Sequence, residues 1–291
     1  MSNFKSNTDA TTTPKPLSKY DMNNEKRGIA LVINIRSFEN NKHSERVWSE
    51  KDVDNLRKTL EYLEFKVVLC ENSTKEQIET ILKDQQNHHD SDCFLCVVMS
   101  HGNQDKIMTS DNLTISFEEI MAPIKTCPTL VKKPKMFFFQ ACRGENELES
   151  KKPPRSTSLS RKSSLKSGRV AKMTDTITSS HSVLPRIQPK KVKTKLEEET
   201  DLLVFNSTLP NHLSWSINEN EGTIFIKSFC DVFNNAYKNL ESSDHLTLSQ
   251  MITQIKASVQ QHKIQVAIST NTMHKELQFW PKKVNFKCFL I

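Results

Sequence analysis

The sequence predicts an α/β fold, a mostly parallel sheet of about six strands with helices on both faces, and three observations predict it. Short apolar runs alternate along the chain with segments whose apolar residues recur at helical spacing. The first of these runs, Ile29–Ile35, is continuously apolar, as a strand covered on both faces is. One long segment that cannot build a core interrupts the alternation, which then resumes.

The elements follow in order. Residues 1–24 are polar, carry Pro14 and Pro16, and are expected to be disordered. Ile29–Ile35 is the first buried strand, and Asp52–Leu63 is a helix with Val53, Leu56, Leu60 and Leu63 on one face. Phe65–Cys70 is the second strand. Ser73 or Thr74 caps a helix carrying Ile78, Ile81 and Leu82. Cys93–Met99 is the third strand, Ser116-Phe-Glu-Glu119 is a capping box opening a helix, and Lys135–Phe139 is the fourth strand. Beyond residue 200 come a strand at Leu202–Asn206 and a helix with Phe225, Phe229, Val232, Phe233, Ala236 and Leu240. A second helix with Met251, Ile252, Ile255 and Val259 and a strand at Val266–Ser269 follow. Parallel neighbours joined through helices require right-handed crossovers.

Charge is unevenly distributed. The 291 residues sum to +7, but residues 151–195 hold thirteen Lys and Arg against one acid, Asp175, a net of +12, so the remainder is −5. That segment has no aromatic residue and four prolines. Its composition predicts a disordered linker, and its lack of stacking residues argues against specific nucleic-acid recognition. No apolar run reaches the roughly 18 residues of a membrane span, and the N-terminus has no apolar signal region. The seven irregularly spaced cysteines therefore read as reduced thiols of a cytoplasmic protein. Cys93-x-x-Cys96 lacks a second pair and reads as two core cysteines, so no metal and no cofactor is expected.

Two strands end in reactive groups. Val97-Val-Met99 runs into Ser100-His-Gly102, and Phe137-Phe-Phe139 into Gln140-Ala-Cys-Arg-Gly144. Sites in open parallel sheets form at the carboxyl ends of strands. If the two strands are neighbours, His101 and Cys142 share one crevice, and an imidazole beside a thiol makes a competent nucleophile. Gly102 leaves the backbone open there, so its N–H and that of Cys142 can bind an oxyanion. Taken singly, a histidine is more often structural and a strand-end cysteine more often a small core residue.

The motif Gln140-Ala-Cys-Arg-Gly144 matches the caspase nucleophile signature, and Ser100-His101-Gly102 resembles the family's histidine motif at the expected distance upstream. Tyr20-Asp-Met-Asn23, Lys133-Pro-Lys135, Asp201–Thr208, Ser214-Trp215 and Lys275-Glu-Leu277 are similar to further caspase segments, so the resemblance covers residues 20–281 outside the linker. It implies the caspase-like fold and a short-prodomain, executioner-like organisation. That organisation has a pro-peptide at 1–24, a large subunit at 25–150, an intersubunit linker at 151–200, a small subunit at 201–281 and a tail at 282–291. It implies an apoptotic endopeptidase that cuts protein substrates after aspartate, with Cys142 and His101 as the catalytic pair. Arg46 and Gln140 would bind the P1 carboxylate, and Trp215 would line the subsites beyond it. Further implications are a homodimer, and an upstream caspase or an inhibitor as partner.

The match departs from the family at two places. Arg46-Val-Trp-Ser-Glu-Lys-Asp52 has Trp48 where caspases carry glycine, and Ser216 stands where a second carboxylate-binding arginine follows the tryptophan. One charge-assisted hydrogen bond contributes about 1.5–3 kcal/mol, so its loss weakens such a pocket without abolishing it. The rival expectation is a catalytically weak homologue acting as decoy or partner of an active caspase. Asp175 is the expected processing site in the linker, and Asp9 a second one near the N-terminus. Lys190, Lys191 and Lys193 form a basic run that reads either as a nuclear-import signal or as plain solvated charge. The chain ends Cys288-Phe-Leu-Ile291, a formal prenylation box with an unusual last residue, so membrane attachment is not expected.

Overall fold

A computed structural model describes residues 17–85, 88–144, 197–238 and 246–282. Sequential apolar runs form strands β1 (Lys26–Asn34), β2 (Lys66–Glu71), β3 (Ser91–Met99), β7 (Lys135–Gln140), β8 (Leu202–Asn206) and β11 (Ile268–Asn271). They make one sheet in the order β11-β8-β7-β3-β1-β2. Five strands run parallel, and β11 closes one edge antiparallel to β8. All six predicted strands are members of this sheet. The last begins two residues later than Val266, because its antiparallel partner β8 ends at Asn206, which pairs with Ile268.

Two cores form because strand side chains alternate between faces. Ala30, Val32, Leu95, Val97 and Phe138 join one cluster with Leu56 and Leu60 of α1 (Ser49–Tyr62), Phe225, Phe229 and Phe233 of α4 (Ile224–Lys238), and Ile255 and Val259 of α5 (Leu248–Gln261). Leu31, Ile33, Phe94, Val98 and Phe139 join the other with Ile78 and Leu82 of α2 (Lys75–Asp84) and Ile120 and Ile124 of α3 (Phe117–Lys125). Helices thus cover both faces. Cys93 and Cys96 are both fully buried, but three residues apart in a strand they enter opposite clusters and cannot share an ion. Burial pushes the Cys93 thiol up to about 12.

Local chemistry explains the helix starts. Thr74 with Gln77 and Ser116 with Glu119 form the capping boxes of α2 and α3, and Thr247 with Gln250 forms a third on α5. Helix α1 starts at Ser49, three residues before Asp52, with Trp48 at its N-cap making no side-chain cap bond. Gly28 faces Cys93 across β1 and β3 with φ of +136°, and a Cβ there would lie 1.9 Å from the Cys93 carbonyl oxygen. Periodicity gives no sign of two small additions. One is a three-stranded sheet of β4 (Gly102–Asn103), β5 (Lys106–Met108) and β6 (Thr114–Ser116). The other is a hairpin of β9 (Ser216–Asn218) and β10 (Gly222–Thr223). Leu240 lies outside the described residues.

At the amino ends of β1 and β3, Arg27 is buried against Asp92 at 3.1 Å, the Leu63 carbonyl at 3.1 Å and Glu64 at 3.3 Å. Lys282 reaches the same Asp92 carboxylate and donates to the carbonyls of Met22 and Asn24. One buried carboxylate therefore ties the first strand to the segment that follows the last one.

Candidate active site

The sheet register brings the predicted pair to one edge. Met99 of β3 lies opposite Gln140 of β7, and the Ser100 N–H donates to the Gln140 carbonyl at 3.2 Å. His101 and Cys142 each follow two residues beyond that rung, so they leave neighbouring strands at the same carboxyl end. The turn after β3 is fixed by the Ser100 hydroxyl, which donates to the Met108 carbonyl at 2.6 Å, and by the Met108 N–H, which donates to the His101 carbonyl at 2.8 Å. Gly102 is pressed against the other strand end. A Cβ there would lie 2.9 Å from the Cys142 carbonyl oxygen and 2.7 Å from that of Lys106.

Both reactive side chains are half-buried and held by backbone. His101 Nε2 lies 2.7 Å from the Ser44 carbonyl oxygen, and its ring stacks on Phe38 with centroids 5.2 Å apart. A carbonyl only accepts, so Nε2 carries the hydrogen and Nδ1 is the nitrogen that can take a proton in the neutral ring. The Ser214 N–H donates to Cys142 Sγ at 3.4 Å, and Sγ lies 3.8 Å from the Ser214 carbonyl oxygen. The Ser214 backbone thus offers the sulfur both a donor and an acceptor.

The predicted carboxylate-binding residues also gather at this edge. Arg46 is buried beyond the end of β1, where Nη1 donates to Asn34 Oδ1 at 3.2 Å and to the Ile35 carbonyl at 2.9 Å. Gln140 is buried, and its Nε2 donates to the Ser214 hydroxyl at 2.9 Å. Its Oε1 has no hydrogen-bond partner among the described residues. Trp215 is exposed, and its N–H donates to Gln265 Oε1 at 2.7 Å. Ser216 opens β9, half-buried, opposite Thr223 of β10. Asp9, Asp175, Lys190, Lys191, Lys193 and Cys288 lie outside the described residues.

Several residues of the site carry no mark in the sequence. Ser44 orients His101 through its carbonyl. Gln265 bridges the Trp215 N–H and, by its own Nε2 at 2.8 Å, the Ser207 carbonyl. Asp105 accepts from Arg143 Nε at 3.0 Å, while Arg143 Nη1 donates to the Thr208 carbonyl at 3.3 Å, so Arg143 joins the loop after β4 to the one after β8. Asp52, fully buried on α1, accepts from the Thr223 N–H at 2.8 Å, and burial pushes its carboxyl up to about 6. Among the described residues no group of three or more His, Cys, Asp or Glu side chains is placed to hold a metal ion, and no helix is long and apolar enough to cross a membrane.

Comparison with known proteins agrees with this geometry. The caspase domain family model matches residues 27–278. The chain is 29% identical over 274 residues to Caspase-7 of Gallus gallus, covering 91% of this chain and 81% of that protein. It is also 29% identical over 228 residues to Caspase-10 of Homo sapiens, covering 77% of this chain but only 38% of that longer protein. The crystal structure of Caspase-1 from Spodoptera frugiperda superposes with a TM-score of 0.67 at 24% identity, covering 94% of this chain and 99% of that one. With the sheet order, the paired strand ends and a family model spanning both chain segments in agreement, this chain belongs to the caspase family of cysteine peptidases.

Proposed function

We propose that the chain is an active endopeptidase that cuts after aspartate. The observation that carries the reading is the placement of His101 and Cys142 at the paired ends of β3 and β7, with Gln140 and Arg46 at the same sheet edge. The Cys142 thiolate attacks the scissile carbonyl, and the N–H groups of Gly102 and Cys142 stabilise the oxyanion. His101, held through Nε2 by Ser44, delivers a proton from Nδ1 to the leaving amine, and water then hydrolyses the thioester. Arg46 and Gln140 hold the P1 carboxylate, and Trp215 lines the subsites beyond.

In this reading residues 25–150 and 201–281 are the large and small subunits, separated by cleavage at Asp175, and Asp9 marks removal of the N-terminal peptide. Two such units pair through the edge at β11, where Ile264, Val266 and Ile268 are exposed. The protein acts in apoptosis, in the cytoplasm, with the basic run at Lys190, Lys191 and Lys193 available for nuclear import.

A second reading, a catalytically weak homologue that serves as partner or decoy, is favoured by Ser216, which supplies no cation to the carboxylate pocket. Intact mass of the full-length chain expressed beside Cys142→Ala separates the two. Fragments ending at Asp175 in the wild type only support the first. Two whole chains, with Cys142 unlabelled by an active-site thiol probe, support the second.

A further inference from the structure

The proposed carboxylate pocket has Arg46 as its cation, and a buried acid, Asp52, lies behind the hairpin that carries Ser216. Arg46 is 3% exposed and Asp52 0% exposed, and the attraction of Arg46 acts on the Asp52 carboxyl. Gln140, Ser214 and Ser216 are neutral. Asp52 is joined to the pocket through the hairpin: its Oδ1 accepts from the Thr223 N–H at 2.8 Å, and Thr223 is the residue opposite Ser216. Gly222 packs so closely that a Cβ there would lie 2.3 Å from the same oxygen. Asp52 Oδ2 is buried and has no hydrogen-bond partner among the described residues.

A peptide carboxylate held by Arg46 beside Ser216 therefore draws on the same cation that attracts Asp52, one strand rung from the residue that holds that acid. Two carboxylates that share one cation in a desolvated site do not both stay ionised, and one of them takes a proton. The incoming carboxylate has the donors of Arg46 and Gln140, two residues, whereas Asp52 is held by Thr223 alone. Asp52 is thus the group that yields. We propose that binding of the substrate carboxylate is coupled to the uptake of one proton from solvent by Asp52, so that the pocket becomes cationic only when that acid is neutral. This rests on the reading of Arg46 and Gln140 as the carboxylate-binding groups.

Burial already holds the Asp52 carboxyl at about 6, so protonation is accessible close to neutrality. The other groups facing it are Arg46, ahead of α1, and Cys230 of α4. The Cys230 thiol is pushed up to about 12 by burial and stays neutral throughout this range.

The test is calorimetric titration of the full-length Cys142→Ala protein, which binds without turnover. The ligands are a peptide amide with aspartate at P1 and its asparagine counterpart, each in two buffers of different ionisation enthalpy. The aspartyl peptide is expected to bind about five-fold or more tightly at about pH 6 than at about pH 7.5, with uptake approaching one proton at the higher pH. Adding Asp52→Asn should give the tighter affinity at both pH values and no uptake. Adding His101→Ala instead should leave the uptake in place, which excludes the imidazole as its source. A pH-independent affinity, or an uptake lost with His101, overturns the coupling while leaving the pocket intact. If the aspartyl peptide binds no better than the asparaginyl one in every protein, the carboxylate pocket itself is refuted.

Discussion

A buried side chain outside the site helps to hold the segment that flanks the nucleophile, and removing it should loosen the site without touching it. Gln265 accepts from the Trp215 N–H and donates to the Ser207 carbonyl. Ser207 in turn is fixed to β7, its N–H donating to the Phe139 carbonyl at 2.9 Å and its hydroxyl to that of Ala141 at 3.3 Å. One path from the Cys142 strand to Trp215 therefore runs through Gln265, beside the direct contacts of Ser214 with Gln140 and Cys142. In Gln265→Ala the fully buried Ser207 carbonyl loses a donor that water cannot replace, at about 1–3 kcal/mol. The Trp215 N–H, on an exposed residue, is partly rehydrated and adds about 1 kcal/mol or less. The expected loss is about 2–3 kcal/mol in urea unfolding, measured in a Cys142→Ala background so that processing does not intervene. With Cys142 restored, the Ser214 N–H should lose its aim at Sγ, and alkylation of Cys142 at neutral pH should slow several-fold. Unchanged stability together with an unchanged alkylation rate would refute the tether.

Three further perturbations follow from other parts of the molecule. Asp92→Ala strips Arg27 and Lys282 of their shared buried carboxylate, and with Glu64 still beside Arg27 the cost should be about 3 kcal/mol, read as a lowered midpoint in denaturant. Ser216→Arg adds a cation to the proposed carboxylate pocket and should raise kcat/KM on aspartyl peptides by about ten-fold or more; no gain would place the weakness elsewhere. Asp52 is raised from the ordinary 3.8 to about 6, so between those values the folded chain holds a proton that the unfolded chain has released. Stability contributed by this group therefore falls as pH rises through that window. Asp52→Asn should be more stable than the parent at neutral pH by on the order of 3 kcal/mol, with the two converging near pH 4 in thermal melts.

What the sequence revealed and what it hid divide along physical lines. Strands β1, β3, β7 and β8 were legible because each is buried on both faces and so reads as an apolar run, and Phe137–Phe139 announces β7 without help from its neighbours, whereas β2 and β11 lie at the sheet edges and are partly exposed. Ser116 and Glu119 were legible because a capping box is a contact three residues long. His101 and Cys142 were legible as strand ends, and their adjacency needed only the parallel order of β3 and β7. Ser44, Gln265 and Asp105 were not, because each acts across loops through a carbonyl or an amide that any sequence offers in abundance, and only the closed fold selects which one is used. The hairpin of β9 and β10 escaped for a related reason: strands of two or three residues have no period to detect. Asp52 stood in plain view within Arg46–Asp52, yet its burial, its single N–H partner and its place one rung from Ser216 depend on a residue 171 positions away. The departure at Ser216 thus acquires a meaning that the sequence alone could not give it. If Arg46 and Gln140 hold the P1 carboxylate as proposed, Ser216 leaves the charge of that pocket to the acid behind it.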